Sequence, residues 1–192
     1  MTLDRALRWR HRMLKEPIEH QPKAVKDILE VEETHLKISR KGQRGGRADH
    51  KGRLSSDFIP VLVGRVRGPP CTLDKAMASM AKTEIHAALV GCVDPATTVL
   101  CMDSHKSFLE RGKMLGVARN IFVTTKAKPA DFHVQSVNSC HERLKTWIDY
   151  RLRGVASKYM PSYLAWQRLR TWKEMSSVEL ISSALGRQII NL

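Results

Sequence analysis

The segment DILEVEETHL, residues 27–36, constrains the fold more than any other part of the chain. Its alternation is that of a strand, with Glu30, Glu32 and Thr34 on one face and Leu29, Val31 and Glu33 on the other. Asp27, Glu30, Glu32 and Glu33 crowd acid into a stretch that otherwise reads as buried, within a chain of formal charge +14. Buried carboxylates persist only against cationic or hydrogen-bonding partners. Glu30 and Glu33 are therefore expected to pair with nearby basic side chains.

The rest of the chain supplies the partners. Lys and Arg number 33 against 19 Asp and Glu, spread over all 192 residues, which points first to nucleic acid and second to an anionic membrane surface. The membrane reading is weak, because no apolar run approaches the roughly 20 residues that span a bilayer, and EIHAALVGCV is a core segment. The first twenty residues are charged throughout and carry no secretory signal, so a cytoplasmic, nucleoid-associated location is expected. Cys71, Cys92, Cys101 and Cys140 form no C-x-x-C pair and read as reduced core residues. A hydrophobic content of 42% is enough for one sizeable core.

Periodicity and punctuation give the order of elements. A basic helix over residues 1–16, with Leu3, Leu7 and Met13 or Leu14 on one face, stops at Pro17 and Pro22. The acidic strand follows, then a Gly-rich basic loop, the strand FIPVLVGRVRG, a bend at Pro69 and Pro70, and CTLDKAM as the third strand of an antiparallel meander. A helix over 82–92 leads to the strand TTVLCMDS; HKSFLERGKMLGV reads as a helix, NIFVTT as a strand, and 136–152 as a long helix. MPSYLAWQRLRTWKEM and SSVELISSALGRQI are helical, the second capped by Ser176 or Ser177. Strands, then alternating strands and helices, then helices predict an α/β domain with a mixed sheet and covering helices.

Within that order the polar residues fall into a pattern. Glu32 sits inside the first strand and Asp103 at the carboxyl end of the fourth, where open α/β sheets carry functional groups. Asn138, His141 and Lys145 share one flank of the long helix, whose apolar stripe is Val137, Cys140, Leu144 and Ile148. Two carboxylates facing an amide oxygen make a hard, oxygen-rich site suited to Mg2+ or Mn2+, and the surrounding charge suits a phosphodiester. Plainer roles stand beside these: Asp103 as a cap for a helix from Ser104, Asn138 and Lys145 as solvated helix residues, His141 as an ordinary helix histidine. Trp147, Trp166, Trp172, Tyr159 and Tyr163 read as core anchors rather than base-stacking platforms.

The runs ILEVEETHL, VLCMDSHKSFLERGKMLGV and HVQSVNSCHERLKTWIDYRLRGVASKYMPSYLAWQRL resemble the transposases of bacterial insertion sequences in the DDE superfamily, in the branch with Asp, Asp, Asn and Lys. The likeness covers residues 1–172. It implies a ribonuclease-H-like domain with a mixed five-stranded sheet and flanking helices over 23–175, preceded over 1–22 by the end of a DNA-binding region and followed over 176–192 by a helical tail. Full-length relatives are expected to begin with a cysteine-bearing zinc ribbon and a helix-turn-helix, so this chain, with no cysteine before position 71, reads as N-terminally truncated.

The resemblance assigns Asp103 to the second catalytic aspartate, Asn138 to the third position and Lys145 to the lysine two turns on. Val31-Glu32-Glu33-Thr34-His35 stands where the family has Val-Asp-Glu-Thr-Tyr, so Glu32 replaces the first metal-binding aspartate. The extra methylene moves the carboxylate by roughly 1 Å, against magnesium–oxygen distances of about 2.1 Å, which predicts an impaired site. The implied function is two-metal strand cleavage and strand transfer on DNA, at transposon ends and target, by a chain that self-associates. The alternative is an inactive remnant with non-specific nucleic-acid affinity only. Lys37, Arg40, Lys41, Arg44, Arg47, Lys51 and Arg53, on the loop after the acidic strand, are the expected phosphate contacts.

Overall fold

The computed structural model describes residues 2–39, 58–68, 71–103, 116–117, 119–123, 132–172 and 176–185. At its centre is β1 (Val25–Lys37), which pairs antiparallel with β2 (Phe58–Val66), from Leu29 opposite Val66 to Lys37 opposite Phe58. On its other side β1 runs parallel to β4 (Val93–Asp103), Asp27 opposite Thr98 and Val31 opposite Met102. β3 (Thr72–Ala76) extends the antiparallel side beyond β2, and β5 (Arg119–Val123) extends the parallel side beyond β4. The order β3-β2-β1-β4-β5 is a mixed five-stranded sheet. With flanking helices it is the mixed five-stranded α/β arrangement expected from the sequence.

A central strand must bury both faces, and β1 does so with different chemistry on each. Leu29 and Val31 join Leu62, Leu73, Leu100 and Met102 beneath Ile85 and Leu89 of helix α2 (Lys82–Leu89). Gly64 belongs to this layer because a Cβ there would stand 3.2 Å from Leu29 Cδ1. The opposite face carries Leu36, Val61 and Val63 against three helices: α1 (Leu3–Lys15), α3 (Gln135–Thr146) and α4 (Met160–Trp172). A further helix, α5 (Ser177–Ala184), is capped by Ser176, whose hydroxyl accepts from the Glu179 amide while the Glu179 carboxylate accepts from the Ser176 amide. No helix among the described residues is long and apolar enough to cross a membrane.

Several expectations need correction. β1 begins at Val25, earlier than the alternation suggested, because the pairing with β4 continues past a register irregularity between Val25 and Asp27, where Asp27 has φ 67°. In α1 only Leu14 is buried; Leu3 and Leu7 are exposed at 85% and 47%, so the expected apolar face covers the core at one end only. The long helix is α-helical to Thr146 and continues as a π-helical turn over Trp147–Arg151. It ends at Arg153 and Gly154, both in the left-handed region. The helix expected over 105–117 lies outside the described residues, apart from its last two positions.

The aromatic anchors behave as expected. Trp147, Tyr163 and Trp166 pack with ring centroids 5.6–6.2 Å apart, Tyr159 stacks on His11, and Trp172 Nε1 donates to Thr72 Oγ1. Cys101 is fully buried and Cys71, Cys92 and Cys140 are partly so. A buried ion pair that the sequence did not reveal fastens α4 to the sheet edge: Arg168 Nη1 donates to Asp74 Oδ1 at 2.6 Å and Nη2 to the Pro17 carbonyl at 2.8 Å.

Glu30, fully buried in β1, explains part of the acidic strand. The first four amides of a helix lack internal acceptors, and Val134 offers no side-chain cap to α3. Glu30 Oε2 accepts from the amides of Ser136 at 3.0 Å and Val137 at 3.2 Å, while Asn138 N donates to the Val134 carbonyl and Gln135 N to His133 Nδ1. Arg67 Nε donates to Glu30 Oε1 at 2.8 Å. The imidazole nitrogen that accepts from Gln135 cannot also donate to Glu30, so the cationic partner is Arg67. Glu33 has no ion pair among the described residues, contrary to expectation, because its side chain lies on the other face from Arg67.

Replacing Glu30 by Ala leaves two helix-terminal amides facing no acceptor in a dry site, and is expected to cost about 3–5 kcal/mol, with Glu30→Gln costing less because one oxygen remains. Urea denaturation measures both; a loss below about 1 kcal/mol for Glu30→Ala would show that α3 is held some other way.

Candidate functional site

The register that seats Glu30 also places the next carboxylates. Val31 and Met102 are partners across β1 and β4, so Glu32 and Asp103 are the next residues along two parallel strands. Their side chains point to the same face, the one on which Glu30 meets α3 and Cys101 Sγ donates to the His133 carbonyl. Glu32 is 21% exposed and Asp103 stands at the open carboxyl end of β4.

Two acids brought together in this way disturb each other. The Glu32 carboxyl is pushed up to about 7, first by burial, then by the charges of Asp103 and Glu33, with Lys145 pulling the other way. Glu32 Oε2 is buried and has no hydrogen-bond partner among the described residues. His141, on the facing side of α3, brings Nδ1 to 3.8 Å from Glu32 Oε2. Burial holds that imidazole down at about 4, helped by Lys145 and opposed by the Glu32 backbone, so it is neutral at physiological pH. Its Nε2 is also buried without a partner among the described residues.

Glu32, Asp103, His141 and Lys145 thus form one electrostatic group. Lys145 Nζ lies 3.6 Å from Glu142 Oε1, an exposed pair of consecutive turns that leaves the ammonium free to turn. Asn138 lies one turn before His141 on the same flank, with its side chain exposed. Of the residues expected at phosphates, Lys37 is exposed at the end of β1, and Arg40, Lys41, Arg44, Arg47, Lys51 and Arg53 lie outside the described residues. The root of that loop is anchored, Ser39 N donating to Ser157 Oγ at 2.8 Å and Ser157 N to the Ser39 carbonyl at 2.9 Å.

Among the described residues no three His, Cys, Asp or Glu side chains are grouped to hold a metal ion. The site offers two carboxylates, with a neutral amide on the adjoining helix flank. That set fits a hard cation which keeps several waters and takes one or two carboxylates from the protein. The Glu32 oxygen left without a partner among the described residues is what such an ion would satisfy.

The sequence underrated His141. Val137, His141, Leu144 and Ile148 are spaced four, three and four apart and form the buried stripe of α3 and its continuation, while Cys140, expected in that stripe, is only partly buried. That spacing was readable and placed His141 between Val137 and Leu144.

No protein-family model matches the chain, and no curated protein matches it in sequence. Among the solved structures that resemble it in shape are two of viral origin. The catalytic core domain of BIV integrase has 12% identity and a TM-score of 0.48, over 84% of this chain and 98% of that one. A chain of the simian T-cell lymphotropic virus intasome has 10% identity and a TM-score of 0.45, over 90% of this chain and 59% of that one. At this level of similarity neither likeness establishes a family or an activity for this chain.

A carboxyl whose folded pKa is raised from 4.5 to about 7 binds more protons folded than unfolded in that interval, so its contribution to stability falls as pH rises through it. His141, lowered from 6.5 to about 4, contributes in the opposite sense, losing stability as pH falls, so the two nearly cancel in the native chain. Glu32→Gln removes one side of that balance. Relative to the native chain it should gain on the order of 1–2 kcal/mol between pH 5 and pH 8, a discounted figure because the side chain is partly exposed. Urea denaturation at the two pH values checks this; parallel stabilities would mean that Glu32 titrates normally.

Proposed function

We propose that this chain is the catalytic domain of a DDE-type DNA transposase of the bacterial insertion-sequence kind, acting by metal-assisted phosphoryl transfer. The observation that carries this reading is the pair Glu32 and Asp103, side by side on one face of a parallel strand pair, with a buried Glu32 oxygen left unpartnered among the described residues. The basic excess of the chain supports DNA as the substrate. On this reading residues 23–175 carry the chemistry, 1–22 end a DNA-binding region and 176–192 are a helical tail.

When bound, a divalent ion at Glu32 and Asp103 supplies Lewis acidity at the phosphate oxygens and lowers the pKa of a water or 3′-hydroxyl nucleophile. Asn138 contributes a neutral oxygen donor, which leaves the residue set one negative charge short of three carboxylates. Lys145 holds a non-bridging phosphate oxygen as a point charge. His141, neutral and buried, excludes water behind Glu32. Lys37, Arg40, Lys41, Arg44, Arg47, Lys51 and Arg53 grip the DNA backbone beside the site, and a second copy serves the second transposon end. The length of the side chain at 32 favours a second reading, an inactive remnant that binds nucleic acid without sequence preference.

A strand-nicking and strand-transfer assay in Mn2+ separates the two. Glu32→Asp is expected to raise activity by up to about a hundredfold, because positioning sets the rate, and Asp103→Asn to abolish it. Activity in Glu32→Asp with none in the native chain assigns the native chain to the remnant reading, and activity that survives Asp103→Asn rejects the site.

A further inference from the structure

Two polar atoms of the site have no hydrogen-bond partner among the described residues, Glu32 Oε2 and His141 Nε2, and their side chains meet. At 3.8 Å from His141 Nδ1 to Glu32 Oε2 they touch without a hydrogen bond. A buried polar group left unsatisfied costs about 1–3 kcal/mol, and a leucine at 141, between Val137 and Leu144 on the buried stripe of α3, would avoid that cost. The imidazole is only 5% exposed and is fixed by the packing of its own helix. It therefore presents a rigid edge to the carboxylate on β1.

Residue 32 is a glutamate, with one more rotatable bond than an aspartate. Its carboxylate has more positions open to it, and holding a Glu side chain in a single rotamer costs up to about 2 kcal/mol. We propose that His141 is a positioning residue for Glu32: the ring backs the longer side chain and directs its carboxylate toward Asp103, so that the pair can share one divalent cation. This rests on the cation-site reading given above. It makes the role of His141 conditional on the length of residue 32, since an aspartate ends short of the ring.

Mn2+ binding to the full chain, read as loss of the free-ion signal in electron paramagnetic resonance, tests the pairing without turnover. His141→Ala is expected to weaken Mn2+ binding by about tenfold or more, the usual effect of removing a group that orients a ligand. His141→Gln, which retains a polar group of similar reach, should recover part of the loss and covers the case in which the alanine variant does not fold, as judged by circular dichroism. In the Glu32→Asp background His141→Ala should change Mn2+ affinity by less than about twofold. Unchanged affinity in both His141 variants overturns the inference, as does an equal loss from His141→Ala in the native and Glu32→Asp backgrounds. Failure of both the native chain and Glu32→Asp to bind Mn2+ overturns the cation site itself, and the inference with it.

Discussion

The carboxylate of Glu30 at the start of α3 is the contact on which the arrangement of the site depends. A central strand and the helix packed over it can slide along each other unless something fixes their offset, and apolar packing alone is forgiving in that direction. Glu30 is not forgiving. Its oxygens take the amides of Ser136 and Val137 and the guanidinium of Arg67, and the negative charge lies at the favourable end of the helix dipole. With the helix start pinned there, His141 comes opposite Glu32, and Asn138 and Lys145 take the flank toward it. Shifting the strand by one residue would turn Glu30 and Glu32 to the α2 face together.

Glu30 and Glu32 are two residues apart on the same face of the same strand, and their environments differ in kind. One has three donors and is fully buried; the other has an orphaned oxygen and an acidic neighbour. Asp74, at the sheet edge, is closed off by Arg168. In a chain this rich in arginine, the buried structural acids Glu30 and Asp74 each receive a guanidinium.

The legible part of this design was whatever had a period. Alternation gave β1 its faces, the order of elements gave the sheet and its covering helices, and the acids at 32 and 103 were placed where the strands put them. Long-range pairings left no such trace. Arg168 and Asp74 are ninety-four positions apart and Glu30 and Ser136 more than a hundred, so nothing local distinguishes them from surface charges. Glu33 was misjudged for the same reason, since a strand period fixes the face of a side chain but not who stands across from it. The apolar face expected of α1 failed at Leu3 and Leu7, which are exposed, and held at Leu14. The left-handed Asp27 that lengthens β1 resembles an ordinary strand residue in sequence, and only the register shift exposes it.

The charge of the site is decided locally. At about 0.15 M salt, exposed charges more than roughly 8 Å apart are screened, so the formal +14 of the chain says little about the gap between β1, β4 and α3. There Glu32, raised to about 7 by burial and then by the charge of Asp103, retains a proton for part of the time at neutral pH. His141 contributes no charge, and Lys145 offsets Asp103. A dication entering such a site competes with a proton on Glu32 instead of with a buried salt bridge. Had an arginine paired with Glu32 as Arg67 pairs with Glu30, the strand would be more stable and the same carboxylate would be closed to any ion.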